Sequence, residues 1–279
     1  MIALGENQYG KSSVRVMKVE RREGGRHEVY EWNVAVWLKG DFASCFVDGD
    51  NSCILPTDTM KNTVYSLARQ STAASPEDFA RELVSHFLAT QPQVEEAGVT
   101  IKATLWEPIG CHPTAFTQTR SALDITTVTC TRGGSVSITS GFENLAILKT
   151  ANSGFAGYMK DRLTTLKETH DRLFGTLAAA EWKYVQDVSD FSGSRKKITE
   201  TMLNTFAVHG SLSVQQTLYA MGRSALEVAP EISEIRLSMP NKHCNLVDLS
   251  PFGQDNPNHI FVPTDEPHGS IEACIRRMD

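Results

Sequence analysis

The chain has 279 residues, 41% of them hydrophobic and 22% charged, a balance that excludes disordered and collagen-like classes and fits one large domain or two of about 140 residues. A chain of this size buries roughly 75% of the surface its unfolded form exposes, so it needs no disulfide or metal staple. Its net charge of −6 gives no reason to expect nucleic acid or an anionic membrane as a partner.

The first residues, MIALGENQYGKSSVRV, lack the roughly 7 to 15 apolar residues of a signal peptide, and no later stretch reaches the roughly 18 uncharged apolar residues of a membrane span. A cytoplasmic protein is expected. Period-2 alternation then places Tyr30, Trp32, Val34, Val36 and Leu38 on one face of an early strand. Thr57-Asp58 can cap a helix carrying Met60, Val64, Leu67 and Ala68. Ser75-Pro76-Glu77-Asp78 starts a second helix, with an N-cap, a proline at the first helical position and acids in the first turn, ahead of Phe79, Leu83, Val84, Phe87 and Leu88. Strand alternation returns at Val99, Ile101, Ala103 and Leu105. In the next strand the parity changes from Leu123 and Ile125 to Val128 and Cys130, which predicts a bulge at Thr126-Thr127.

Arg132-Gly133-Gly134-Ser135 reads as a turn, and the same order of elements repeats beyond it. Ile198, Met202, Leu203 and Phe206 form a helical stripe ended by His209-Gly210, and a further helix is expected over 213–227. Ile235, Leu237 and Met239, then Ile271, Ala273 and Ile275, alternate as strands; Ser250 to His268, rich in Pro, Asn and Asp, reads as a loop. Each half is thus two strands, two helices and two strands, an α+β unit with a four-stranded antiparallel sheet and helices on one face. The expected units are 1–134 and 135–279. Open sheet edges are protected when subunits pair them, so an oligomer is expected.

No GxGxxG, GxxxxGK[ST], GxSxG or HExxH occurs, which removes the sequence basis for nucleotide, hydrolase-elbow and zincin sites. The six cysteines form no CxxC pair and read as reduced thiols; Cys111-His112 and His243-Cys244 are adjacent pairs, which rarely ligate one metal.

Five segments carry a resemblance: NQYGKSSVRV (7–16), ILPTDTMKNTVYSLA (54–68), TLKETHDR (165–172), SVQQTLYAMG (213–222) and MPNKHCNLVDL (239–249). In this order they resemble urate oxidase (uricase), and the resemblance extends from Tyr9 to Ile275. It implies two tandem tunnelling-fold (T-fold) units per chain and a homotetramer with active sites at subunit interfaces. The implied reaction turns urate, molecular oxygen and water into 5-hydroxyisourate and hydrogen peroxide, as a step of purine degradation, with neither metal nor organic cofactor. The C-terminal IRRMD is not the peroxisomal SKL-type address of eukaryotic members, which again implies the cytoplasm.

The resemblance assigns Arg172 as a planar clamp on the purine anion, Gln215 as the amide on its other edge, and Phe155 as the ring stacked on its face. A guanidinium presents a rigid fork that lysine does not reproduce, and a carboxamide offers one donor and one acceptor in a plane. Lys11, Thr57 and His243 are assigned to a proton relay. Asn241, with Thr57 of a neighbouring subunit, would hold oxygen or water over the ring; Val214 and Asp58 would act through their backbones. Each residue has a plainer reading: Lys11 a surface charge, Thr57 a helix cap, His243 a hydrogen-bonded strand histidine, Phe155 a core ring, and Arg172 an ion pair with Asp171 or Glu168 on a solvated helix. Gly154 and Ala156 flank Phe155 with little bulk, leaving open what holds its ring. Two other classes compete with the oxidase: a purine-binding protein without turnover, and a pteridine-acting enzyme of the same fold, for which zinc-ligand spacing is missing.

Overall fold

The computed structural model describes residues 2–118, 121–186 and 188–278. The chain divides into two compact units, Met1–Gly141 and Phe142–Asp279; the expected division after Gly134 lies in the turn a few residues earlier.

The first unit contains β1 (Tyr9–Arg21), β2 (His27–Gly40), a short α1 (Ala43–Asp48), α2 (Thr57–Gln70), α3 (Pro76–Thr90), β3 (Val94–Thr104), a two-residue ribbon of β4 (Glu107–Pro108) and β5 (Phe116–Thr117), and β6 (Leu123–Thr131). The sheet order is β1-β2-β3-β6, antiparallel throughout. Alternation dictates its buried face: Val14, Val16, Trp32, Val34, Val36, Leu38, Val99, Ile101, Ala103 and Val128 all lie under the helices. From α3, Phe79, Leu83 and Phe87 are fully buried, worth about 1.5–3 kcal/mol each relative to exposure. Phe79 stacks on Trp32 with ring centroids 4.8 Å apart. The N-terminus of α3 is as expected, Pro76 following Ser75, whose hydroxyl accepts from the Asp78 N–H at 3.1 Å.

No bulge interrupts the β3–β6 ladder at the predicted Thr126-Thr127 position. β3 and β6 keep one register from Glu96 opposite Thr131 to Thr104 opposite Leu123. Thr126 occupies an inward position and is buried, its hydroxyl donating to the carboxylate of the equally buried Glu77 at 3.0 Å. A polar residue in an inward slot imitated a change of parity. Register shifts lie elsewhere in this unit, between Lys11 and Val14 of β1 and between Lys39 and Gly40 of β2.

The second unit receives the end of β7 (Val136–Lys149), then has β8 (Phe174–Tyr184), α4 (Phe191–Val208), α5 (Val214–Val228), β9 (Ile232–Ser238), β10 (Asn241–Leu246), β11 (Phe261–Gly269) and β12 (Glu272–Arg276). Ala179–Tyr184 of β8 pair with β9 and Gly175–Thr176 with β10, so β9 and β10 are one strand course broken at Met239-Pro240, where proline has no N–H for the ladder. β12 and β11 break in the same way against them. With β7 beside β8, four strand courses and two helices repeat the plan of the first unit, and the α+β class holds.

Two expectations change here. Half of the supposed 250–268 loop is strand, because Phe261 to Thr264 pair with β10 without burying an apolar face. Along the last strand only Ile275 is buried while Ala273 is exposed, since α5 covers the strand at Ile275, whose Cδ1 would lie 2.7 Å from a Cβ added to Gly222.

Candidate functional site

In the first unit the start of β1 is tied to the approach of α2. The Leu55 N–H donates to the Tyr9 hydroxyl at 2.9 Å, and the Tyr9 ring stands edge-on to buried Phe42 at 4.8 Å. Two residues beyond each partner are Lys11 and Thr57. Pro56 occupies the N-cap of α2 and Thr57 is its first helical residue, so the helix has no side-chain cap. Thr57 is therefore not a cap residue, and among the described residues its hydroxyl has no hydrogen bond.

The Asp58 carboxylate is held by Lys61 at 2.5 Å and Asn62 at 3.1 Å. The Lys61 hydrogen bond is the main cause of its pKa lying below the usual value, and the charge of Lys11 adds to this, which places the Lys11 ammonium within electrostatic reach of the first turn of α2. Lys11 is paired opposite Val36, but the next paired residue, Val14, is opposite Val34. One extra residue is thus bulged out, with Ser13 in the left-handed region at φ 59°. Among the described residues Lys11 has neither ion pair nor hydrogen bond.

In the second unit Phe155 and Thr169 face each other in an antiparallel bridge, the Phe155 N–H donating at 2.7 Å and the Thr169 N–H returning at 3.0 Å. The Arg172 N–H donates to the Ser153 carbonyl at 2.7 Å. TLKETHDR is therefore one side of an extended hairpin, not a helix. A Cβ on Gly154 would meet the Thr169 carbonyl at 3.0 Å and the His170 Cα at 3.2 Å, so small bulk beside Phe155 is what lets the two segments close. Tyr158 holds the Phe155 ring, stacked at 4.9 Å with 13° between planes, and is itself fixed by its hydroxyl donating to the Leu166 carbonyl at 2.6 Å.

The Arg172 guanidinium carbon lies 5.6 Å from the Phe155 ring centroid. Its Nε is buried without a hydrogen bond, and burial pushes its pKa below the ordinary arginine value. Glu168, the expected ion-pair partner, is taken by Lys160 at 2.9 Å. Among the described residues Arg172 has no carboxylate, and a half-withdrawn planar cation beside an aromatic ring is arranged to receive a flat anion.

A third segment runs beside this hairpin. The Gly154 N–H donates to the Ser211 carbonyl at 2.8 Å and the Ser211 N–H to the Asn152 carbonyl at 2.9 Å, leading to the start of α5. Ser213 caps that helix by accepting from the Gln216 N–H at 3.1 Å, while Gln216 Oε1 accepts from the Leu212 N–H at 2.9 Å. Gln216 is spent on the cap. Gln215 beside it is exposed, and its amide has no partner among the described residues; Val214, the first helical residue, is buried.

Asn241 opens β10 opposite Thr176 of β8, which begins two residues after Arg172. β10 stays extended, so Asn241 and His243 share a face. Across from them β11 bulges, from Gly269 opposite Asn241 to Thr264 opposite His243, and Lys242 spans the bulge to Asp265 at 2.5 Å. The His243 ring has no hydrogen bond among the described residues. Further buried polar atoms without partners are Ser153 Oγ, Thr176 Oγ1 and His209 Nε2. Among the described residues no group of three or more His, Cys, Asp and Glu side chains is placed to hold a metal ion.

The structure thus gathers Lys11, Thr57 and Asp58 in one unit, and Phe155, Arg172, Val214 and Gln215 in the other, with Asn241 and His243 at the adjoining strand end. Sequence reasoning missed Tyr158 and the Ser13 bulge; the aromatic spacing Phe155-Ala156-Gly157-Tyr158 is the signal that points to the former.

The tandem α+β units, with their antiparallel strands and paired helices, define the class, a tunnelling-fold protein. The crystal structure of the uricase from Arthrobacter globiformis superposes with a TM-score of 0.95 at 41% identity, covering 99% of this chain and 96% of that one. The uricase family model matches residues 7–134 and 138–272, and the chain belongs to the uricase family. The Arthrobacter globiformis uricase sequence is 42% identical over 99% of this chain and 90% of its own length, and a Dictyostelium discoideum uricase is 36% identical over 99% and 98%.

Proposed function

We propose that the chain is a urate oxidase that converts urate, oxygen and water into 5-hydroxyisourate and hydrogen peroxide. The observation that carries this reading is Arg172, a half-buried guanidinium with an unpaired Nε, no carboxylate among the described residues, and the Phe155 ring beside it. Urate is a flat anion at neutral pH. Its anionic edge fits the Arg172 fork, its opposite edge the Gln215 amide, and its face the Phe155 ring. The Val214 N–H lies at the start of α5, where a helix favours negative charge.

The reaction removes two electrons from the purine, reduces oxygen to hydrogen peroxide, and adds water at C5. Lys11, Thr57 and His243 would carry the protons as a relay, with the Thr57 hydroxyl passing a proton between the Lys11 nitrogen and the His243 imidazole. Asn241 would orient oxygen and then water above the ring. Each site is completed by Lys11, Thr57 and Asp58 of a neighbouring subunit in a homotetramer, with Asp58 serving through its backbone because its carboxylate is occupied by Lys61.

The test is an assay on purified, chelator-treated protein. Loss of the urate ultraviolet band with oxygen uptake and peroxide release is expected. Persistence of the band sinks the reading; tight urate binding without oxygen uptake would mark a binding protein, and activity that disappears with a removed zinc ion a pteridine-type enzyme.

A further inference from the structure

Lys149 is the last residue of β7, buried to 9% exposure, and the proposed chemistry gives it no part. Among the described residues it has no acidic partner. Its ammonium instead donates to the backbone carbonyl of His209, the C-cap of α4, and lies 5.8 Å from the centroid of the Phe206 ring in the last turn of that helix. The cation is therefore held by the negative end of a helix and by an aromatic face, both suited to positive charge.

From this contact two segments run side by side. One goes from Lys149 through Asn152, Ser153 and Gly154 to Phe155; the other goes from His209 through Ser211 and the Ser213 cap to Val214 and Gln215. Phe155 is six residues past Lys149 and Gln215 six past His209. Between them, among the described residues, lie a parallel bridge from Ser153 to Ser211 and the two hydrogen bonds at 2.8 and 2.9 Å already described. So short a ladder does not fix its own register, because two hydrogen bonds return less than it costs to order the backbone of the residues they join.

We propose that Lys149 is a positioning residue of the purine-binding half of the site: by locking Lys149 to His209 it sets the separation of Phe155 from Val214 and Gln215. The proposal rests on the reading of those three residues as urate-binding. It predicts an effect on binding more than on turnover, since Lys11, Thr57 and His243 stand on other elements.

The experiment compares Lys149→Met and Lys149→Arg with the wild-type protein, using urate kinetics and amide hydrogen exchange. Lys149→Met is expected to raise KM for urate about tenfold or more while kcat stays within about threefold, and Lys149→Arg, which keeps a charged donor, to recover most of the loss. Exchange at the Gly154 and Ser211 amides should quicken in Lys149→Met and return toward wild type in Lys149→Arg. Should Lys149→Met not accumulate as folded protein, Lys149→Gln, neutral but still a donor, is read by the same criteria. Unchanged KM, or a fall in kcat with KM unmoved, overturns the proposal. Absence of turnover in the wild-type protein defeats the functional reading instead, and the exchange rates then decide whether Lys149 holds the two segments; unchanged rates overturn that too.

Discussion

Arg172 concentrates the argument at the scale of single residues. A guanidinium taken half out of water is costly unless something anionic compensates, and the fold supplies no carboxylate for it among the described residues. Arg172→Lys keeps the charge but replaces two parallel donors by a point charge, so KM for urate should rise by roughly 100-fold, with Tm within a few degrees of wild type; steady-state kinetics beside a thermal melt check this. An unchanged KM would show that Arg172 does not clamp. The proposed role was legible only through the motif. By sequence neighbours alone, Glu168 and Asp171 make Arg172 look like an ordinary surface ion pair, and only the folded hairpin sends Glu168 to Lys160. Ser13 makes the opposite case, since nothing in its identity announces a left-handed residue. Its conformation costs an L-residue about 1–2 kcal/mol, so Ser13→Gly should retain kcat and lose no stability, while Ser13→Val should lower kcat by re-aiming Lys11 and destabilise by at least about 1 kcal/mol. Equal kcat in the two variants would separate the bulge from the placement of Lys11.

Among elements, the helix starts divide into those that only hold the fold and those that hold the site. Ser75 and Ser213 make the same capping bond, to Asp78 and Gln216, each at 3.1 Å. Replacing either by alanine should cost about 1 kcal/mol in denaturant unfolding. Only Ser213→Ala should also raise KM, because the cap it loses sits directly before Val214 and Gln215; an equal effect of Ser75→Ala would mean that general loosening is responsible. Both helix starts were readable because capping is written in local residue types. Strand details were less so. The parity change at Thr126 came from a buried polar pair with Glu77, whereas the bulge between Lys11 and Val14 falls where β1 has Tyr9 as its one apolar residue ahead of Val14, too few to register a phase. α1 has no buried residue, and β11 is almost wholly exposed, so neither leaves an apolar pattern to detect.

At the scale of the whole molecule, the repeated plan of strands and helices was visible because each sheet buries one face and each helix one stripe, periods that survive without any repeat of sequence. The distribution of the candidate site residues was not, since periodicity says nothing about which unit would supply a proton relay and which a clamp. The first unit carries Lys11, Thr57 and Asp58; the second carries Phe155, Arg172, Val214, Gln215, Asn241 and His243. If each site takes its two sets from different subunits of a homotetramer, damage to one set can be offset by an intact copy on another chain. Lys11→Ala and Arg172→Lys, each nearly inactive alone at urate concentrations near the wild-type KM, should regain activity there when denatured together and refolded as mixed oligomers. With equal amounts and random assembly, about a quarter of the sites would receive both native sets. The rate should approach that fraction of wild type, while the same proteins refolded separately and then combined should stay inactive as long as subunits do not exchange. No recovery in mixed oligomers, with the mixed assembly verified by differently tagged chains, would place both sets in the same chain and remove the requirement for a neighbour.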